Sequence, residues 1–304
     1  MSVTRASLGQ QERTGKEARP TPVGEGPVAA RTRLGTRLRS LREEAGTSRA
    51  AAAAAIRSSA PKLSRMELGR TAVKARDLAG LLTLYGVSDE AERESMLALC
   101  RQGSARGWWQ GYGNAVPPWM RHYIGLEQAA VLIRSYDVQY IPGLLQAPAY
   151  ARAVLALPGG PAGERAERAL EIRMRRQEIL HREQPPHLWA VIDETALRRA
   201  IGGTAIMRAQ IEHLLEITQL RHVNVQVLPF RAGGHHAGGG PVILLRLAGD
   251  QLPDVVYLEQ LNSAVYPSSP SDLAYYRDVL NQLATKADPP IASTTILNQI
   301  RKDL

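Results

Sequence analysis

The feature that most limits this chain is a change of hydrophobic period partway along it. Between residues 31 and 101 apolar side chains recur at three- and four-residue steps, as in Leu34, Leu38, Leu41 and Ala45. Gly46 and Gly69 interrupt the pattern, and Ser48 stands where a second helix would need a cap. That is the period of amphipathic helices, with their stop and start signals. Farther on, short β-like runs appear at residues 188–192, 223–228, 242–247 and 255–258. Helical stretches interleave with them, but not in strict alternation. The pattern predicts a mainly α, five-helix N-terminal domain followed by an α+β C-terminal domain.

The predicted helices of the first domain are 31–45, 48–56, 59–68, 74–85 and 89–101, within a unit spanning 31–102. Residues 1–30 are rich in Gly, Pro, Thr, Arg and Glu without a hydrophobic period, and read as a flexible basic arm. Residues 103–120 read as a linker, with four glycines and two prolines around Trp108, Trp109 and Tyr112. Paired tryptophans are too apolar to leave in water, so this linker should dock on something. The second domain spans 121–290, with helices expected at 123–134, 162–184, 204–219 and 271–284. Residues 291–304 read as a C-terminal tail or short helix.

Charge separates the two parts. Residues 1–76 hold 16 basic and 6 acidic side chains, a net of +10, whereas the whole chain carries +9. All the positive excess therefore lies in the first quarter, as in a polyanion-binding module joined to a domain that binds none. A composition of 44% hydrophobic and 22% charged residues excludes a disordered or fibrous chain. The uncharged apolar runs are far shorter than a membrane span, and the charged N-terminus is unlike a secretory signal. The lone cysteine, Cys100, excludes a disulfide framework and a cysteine-rich zinc site. The expectation is a soluble cytoplasmic protein with no membrane partner.

The strongest motif is Leu38-x-x-Leu41-Arg42-x-x-x-x-Gly46, an alanine-rich helix, then Lys62-Leu63-Ser64-Arg65-x-Glu67-x-Gly69-Arg70. Over residues 31–87 it resembles the Xre-type, phage-repressor-like helix-turn-helix family. The resemblance implies double-stranded DNA as partner, with the third helix in the major groove. Carried over by position, Arg49 would meet the phosphate backbone. Ser59, Ala60, Pro61, Lys62, Ser64 and Arg65 would lie at the groove, with Arg65 able to bind guanine bidentately. Glu67 would be structural and paired with Arg42. There are three departures from the family's pattern. Arg49 replaces a usual Gln, Arg57 replaces a usual turn Gly, and Ala60-Pro61 stand where base-reading polar side chains are common. Neither of that pair can hydrogen-bond a base through its side chain.

The rest of the chain resembles one C-terminal domain of uncharacterised biochemistry, found in actinobacterial Xre-type, antitoxin-like regulators. The blocks that carry the resemblance, in order, are Gly125-Leu126-Glu127, Pro142-Gly143-Leu144-Leu145-Gln146 with Tyr150-Ala151-Arg152, and residues 173–177. WAVIDETAL from Trp189, Val225-Gln226-Val227-Leu228-Pro229-Phe230 and Val256-Tyr257-Leu258-Glu259 complete it. The resemblance implies regulators of development, antibiotic production or toxin–antitoxin pairs, often encoded near a small partner protein. It transfers no ligand.

Within that domain, aromatic and polar residues from these blocks and the linker form a candidate ligand pocket: Trp108, Trp109, Glu127, Tyr136, Glu194, His235, His236 and Tyr257. The glycine loop around His235-His236 tempts a metal assignment, but no Cys, no H-x-x-x-H spacing and no partner carboxylate accompanies it. Asp193-Glu194-Thr195 precedes a helical run and suits an N-terminal cap. No Walker loop, dinucleotide fingerprint or nucleophile elbow is present. No metal, cofactor or catalytic residue is assigned. Three readings stay open. The first is a homodimeric transcriptional regulator whose second domain senses a small-molecule ligand or a protein. The others are an antitoxin-like protein that neutralises a small partner protein, and a regulator fold repurposed as a ligand carrier or enzyme in secondary metabolism.

Overall fold

The structure, a computed structural model, describes residues 26–249 and 252–304. Residues 1–25, most of the arm read from the sequence, lie outside the described residues. The N-terminal unit consists of α1 (Pro27–Glu44), α2 (Arg49–Ala55), α3 (Ala60–Glu67), α4 (Ala75–Leu84) and α5 (Glu90–Gly103). Leu34, Leu38, Leu63, Met66, Leu78 and Leu81 close its core. The first helix starts at Pro27, so residues 27–30 are helical and not part of an arm. Proline suits a first helical turn, and Val28, Ala29 and Ala30 are buried.

Trp108–Ala115 winds as 3-10 turns and leads to α6 (Met120–Ala129), followed directly by β1 (Ala130–Asp137). Here the sequence expectation of one helix over 123–134 is corrected. Val131, Leu132 and Ile133 satisfy a helical and an extended pattern equally, and hydrogen bonding to strands on both sides decides for the strand. Next come α7 (Pro148–Leu155), α8 (Glu164–Gln177), β2 (His187–Asp193), α9 (Glu194–Arg198), α10 (Thr204–Ile217) and β3 (Val223–Leu228). The chain ends through β4 (Val242–Leu247), β5 (Val255–Glu259), β6 (Ala264–Val265), α11 (Pro270–Lys286) and α12 (Pro290–Asp303). The long helix expected over 162–184 stops at Gln177, and residues 178–180 tighten into a 3-10 turn. The expected tail or short helix is the 14-residue helix α12.

The six strands form one sheet in the order β3-β2-β1-β4-β5-β6. β1, β2 and β3 run parallel, joined by helical crossovers, while β4, β5 and β6 add antiparallel neighbours. Strand alternation sends Ile133, Leu188, Ala190, Ile192, Val225 and Tyr257 to one face, with α6, α8 and α10. Tyr136, Val191, Leu228, Leu244 and Val256 face the other way, against α11. Edge strand β3 is covered at its open side: Val227 N–H donates to Ser293 Oγ of α12 at 2.8 Å, and Asp288 N–H donates to Val227 O at 2.9 Å.

Helix α1 crosses from one core into the other. Its Leu34 and Leu38 belong to the N-terminal core, but Val28 and Ala29 pack with Trp109, Ile124 and Leu126 in the C-terminal one. Gly125 makes that approach possible, because a Cβ there would lie 2.1 Å from Val28 Cγ2 and 2.9 Å from the Trp109 ring. The stiff β-branched Val28 cannot yield. Gly125→Ala is therefore expected to lose about 1–3 kcal/mol in urea unfolding. Val28→Ala in the same chain should restore part of the loss, as a double-mutant cycle would show.

Candidate functional site

The helix-turn-helix is assembled from short local signals. Ser48 Oγ accepts the Ala51 N–H at 3.1 Å and starts α2, and Ser59 Oγ accepts the Lys62 N–H at 3.4 Å and starts α3. Between them the chain passes through Arg57 at φ 51°, the one non-glycine residue with positive φ among the described residues. The turn keeps the left-handed shape that glycine would fill, at a cost of about 1 kcal/mol. Glu67 fixes the geometry from inside. Its carboxylate is buried and takes Arg42 Nε at 2.5 Å and Arg42 Nη2 at 3.2 Å, so α3 is clamped to α1. Arg49 Nε approaches the same carboxylate at 3.4 Å, which ties in α2. Gly35 lets α1 lie on the end of α3, since a Cβ would meet Met66 O at 2.4 Å.

These constraints leave one face of α3 outward. Ser59, Pro61 and Arg65 are exposed, while Ala60, Lys62 and Ser64 are half-buried. No carboxylate among the described residues pairs with Lys62 or Arg65. Arg49 is exposed at the start of α2 but shares Glu67 with Arg42. Ala60 and Pro61 occupy the first turn of α3, where their missing polar groups would be felt most at a groove.

Past α3 the chain turns at Gly69 (φ 67°), and Arg70 reaches the second domain. Arg70 Nη2 donates to Tyr266 O at 3.1 Å, and its guanidinium lies 5.1 Å from the Tyr266 ring centroid. Tyr266 packs edge-on against His122 and Tyr257, both at 5.3 Å, and Tyr257 stacks on Tyr123 at 4.3 Å. A continuous run of rings thus leads from the end of α3 to the sheet of the second domain. His122 is largely buried and its Nδ1 has no partner. Burial, with Arg31 and Arg70 nearby, lowers it to about 3.

Tyr123 and Tyr257 also line a cavity of about 500 Å3 between β1, β4, β5, α8 and residues 138–146. Its charged residues are Arg173, Arg176, Asp137 and Glu259. Arg176 is neutralised: it donates to both Glu127 oxygens at 2.7 Å, and Tyr123 Oη donates to the same carboxylate at 2.6 Å. Arg173 has no such partner and donates to neutral Gln146 Oε1 at 2.7 Å. Burial, followed by the charge of Arg176, lowers Arg173 to about 10, against the opposing pull of Glu259. Ser135 Oγ, Asp137 Oδ2 and Tyr257 Oη are buried without a partner in hydrogen-bond geometry. Burial pushes Asp137 up to about 7; the neighbouring Ser135 hydroxyl opposes the shift and the Glu259 charge adds to it.

The residues proposed from sequence as a pocket do not share one cavity. Tyr257 alone lines this one, and Glu127 lies behind its wall through Arg176. Trp109 fills the core beside α1, while Trp108 packs under the Arg175 guanidinium at 4.6 Å. Glu194 accepts the Phe230 N–H at 2.8 Å and pairs with Arg198 at 2.6 Å. Tyr136 and His235 sit on the opposite face of the sheet, and His236 is exposed. On that face Ala237 N–H donates to His235 Nδ1 at 3.3 Å, so the proton is assigned to Nε2. Nε2–H then donates to Tyr136 Oη at 3.1 Å, and Tyr136 O–H donates to Asp193 at 3.1 Å. Asp193 also caps α9 through the Thr195 N–H at 2.9 Å, as expected. Among the described residues no three His, Cys, Asp or Glu side chains are grouped to hold a metal. None of the helices among the described residues is long and apolar enough to cross a membrane.

Sequence reasoning missed Arg173, Ser135 and Asp137. The signal was present in the alternation of β1, which turns Ser135 towards the cavity and Tyr136 away from it, but residues 123–134 read as a helix.

Two family models match the chain. One, described as Domain of unknown function (DUF5753), matches residues 120–299, and the other, described as Helix-turn-helix domain, matches residues 33–96. No curated protein and no solved structure matches it.

The state of His122 gives a pH prediction. Its lowered pKa means that the unfolded chain takes up a proton near pH 6.5 and the folded chain does not. Stability is therefore complete above that pH and falls on acidification towards pH 3, by up to about 1.4 kcal/mol per pH unit. Urea midpoints between pH 7 and 4.5 should fall more steeply for the wild type than for His122→Gln. Parallel profiles would remove His122 as the cause.

Proposed function

Because the chain belongs to the DUF5753 family and carries a helix-turn-helix domain, we propose that it is an Xre-type transcriptional regulator whose second domain senses an effector. The observation that carries the first half is the outward face of α3. Lys62 and Arg65 stand on it without carboxylate partners among the described residues, on a helix clamped from behind by Glu67. In this reading Arg65 reads a base edge, and Ser59, Lys62 and Ser64 position α3 in the major groove of double-stranded DNA. Arg49 and the net positive charge of residues 1–76 supply backbone attraction. Alanine and proline at the head of α3 leave few base contacts per copy, so a homodimer placing two such helices about 34 Å apart gains the missing specificity.

The run of rings from Arg70 through Tyr266 and Tyr257 supports the second half, because it joins the end of α3 to the wall of the large cavity. The protein would then act where its operator DNA is, in the cytoplasm.

Fluorescence anisotropy with DNA from upstream of the gene, against a scrambled duplex, tests the reading at about 50 and 200 mM salt. Preference for the upstream DNA of about 10³-fold or more is expected. Weak, equal binding that vanishes with salt would leave a non-specific polycation and reject the regulator. Arg65→Ala should cost about 1–3 kcal/mol on the preferred site and relax the preference. Arg49→Ala should weaken both duplexes alike and reduce the salt slope by about one.

A further inference from the structure

We propose that the cavity between α8 and the sheet binds a small organic acid. Its carboxylate would sit on Arg173, its apolar body along Ile133, Leu144 and Leu188, and a hydroxyl-bearing end at Ser135, Asp137 and Tyr257. A guanidinium carries five N–H donors and prefers a planar, doubly accepting carboxylate. Arg173 has used one donor on a neutral amide, and its charge is held in a wall where burial already disfavours it. Arg176 offers nothing further, since Glu127 takes both of its arms. Arg173 is the cavity's cation without a contact ion pair, and Glu259 in the same lining offsets part of its charge at longer range. A singly charged carboxylate placed directly on Arg173 is therefore favoured over a doubly charged phosphate, which Glu259 would repel.

The far end of the ligand follows from a separate observation. Buried polar atoms are almost always hydrogen-bonded, yet Ser135 Oγ and Asp137 Oδ2 lie beside each other, and Tyr257 Oη beside Glu259, without closing a well-formed hydrogen bond, and all these residues line this cavity. Asp137, whose pKa burial raises, can donate as well as accept, which matches a hydroxyl better than a second charge. A volume of about 500 Å3 lies within the range of small-molecule sites.

The inference gives a ligand class to the sensing half of the proposed function and rests on that reading only for its regulatory meaning. The test therefore measures binding on the full chain without DNA. Calorimetry and thermal shift would compare para-hydroxyphenylacetate with its neutral twin para-hydroxyphenylacetamide, its cationic twin tyramine, and phenylacetate. The acid should bind at least about tenfold tighter than the amide, raise the melting temperature with concentration, and lose affinity when its hydroxyl is absent. Arg173→Gln should bring the acid down to the level of the amide. Equal affinity of acid and amide, tighter binding of tyramine, or no response to any probe at about 10 mM overturns the proposal. So does unchanged acid binding by a folded Arg173→Gln. The acid–amide comparison uses the wild type and does not depend on that variant folding. Anisotropy on the same preparations separates the two readings: acid binding without operator preference rejects the regulator and keeps the site.

Discussion

The carboxylate of Glu127 is the point on which most of the second domain turns. It is fully buried, and its two oxygens are shared by Arg176 of α8 and Tyr123 of its own helix, α6. Moving two charges out of water is costly, and such a pair holds together only where geometry and extra hydrogen bonds satisfy both partners. Here the guanidinium is bidentate and the phenol donates a third bond. The pair sets the distance between α6 and α8, and everything around it inherits that distance. α8 presents Arg173 to the cavity, Tyr123 offers its ring to Tyr257, and Gly125, two residues before Glu127 on α6, receives α1.

The first domain uses the same device on a smaller scale. Glu67 is buried, Arg42 is bidentate to it, and a third group, Arg49, approaches from a neighbouring helix. In each domain one internal carboxylate organises two polar partners, and the outward surface is what remains after that internal demand is met. This explains why Arg49, exposed as it is, is less free than Arg65.

Much of the fold was legible in the chain, and the failures share one cause. The five N-terminal helices, four of the strands and the caps at Ser48 and Asp193 follow from period and local hydrogen-bonding chemistry, which a short window contains. Strand β1 could not be read that way. Val131, Leu132 and Ile133 fit either period, and only pairing with β2 and β4, more than fifty residues away in sequence, resolves them. The cavity was lost with the strand. Once residues 130–134 are assigned to a helix, the alternation that would place Ser135 and Tyr136 on opposite faces is broken before it reaches them, and polar residues facing inwards look like surface. The aromatic residues chosen instead are large and apolar, and most of them went to packing, as Trp109 did beside Val28. The pair Arg42–Glu67 was legible because the resemblance supplied the spacing; Arg173 lies in a block of the second resemblance that assigns it no role, and its importance lies in what it is not bonded to.

Helix α1 is owned by both halves of the molecule. Its first turn fills a gap in the second domain's core, its middle fills the core of the first, and Gly125 is cut away to admit it. A boundary drawn through the linker at 103–120 would therefore pass through the wrong part of the chain. Shuffling this DNA-binding head onto another body, by recombination or by design, would transplant a valine whose socket stays behind. Heads and bodies of this kind must change together at Val28 and Gly125, so the unit of exchange is the junction and not the module.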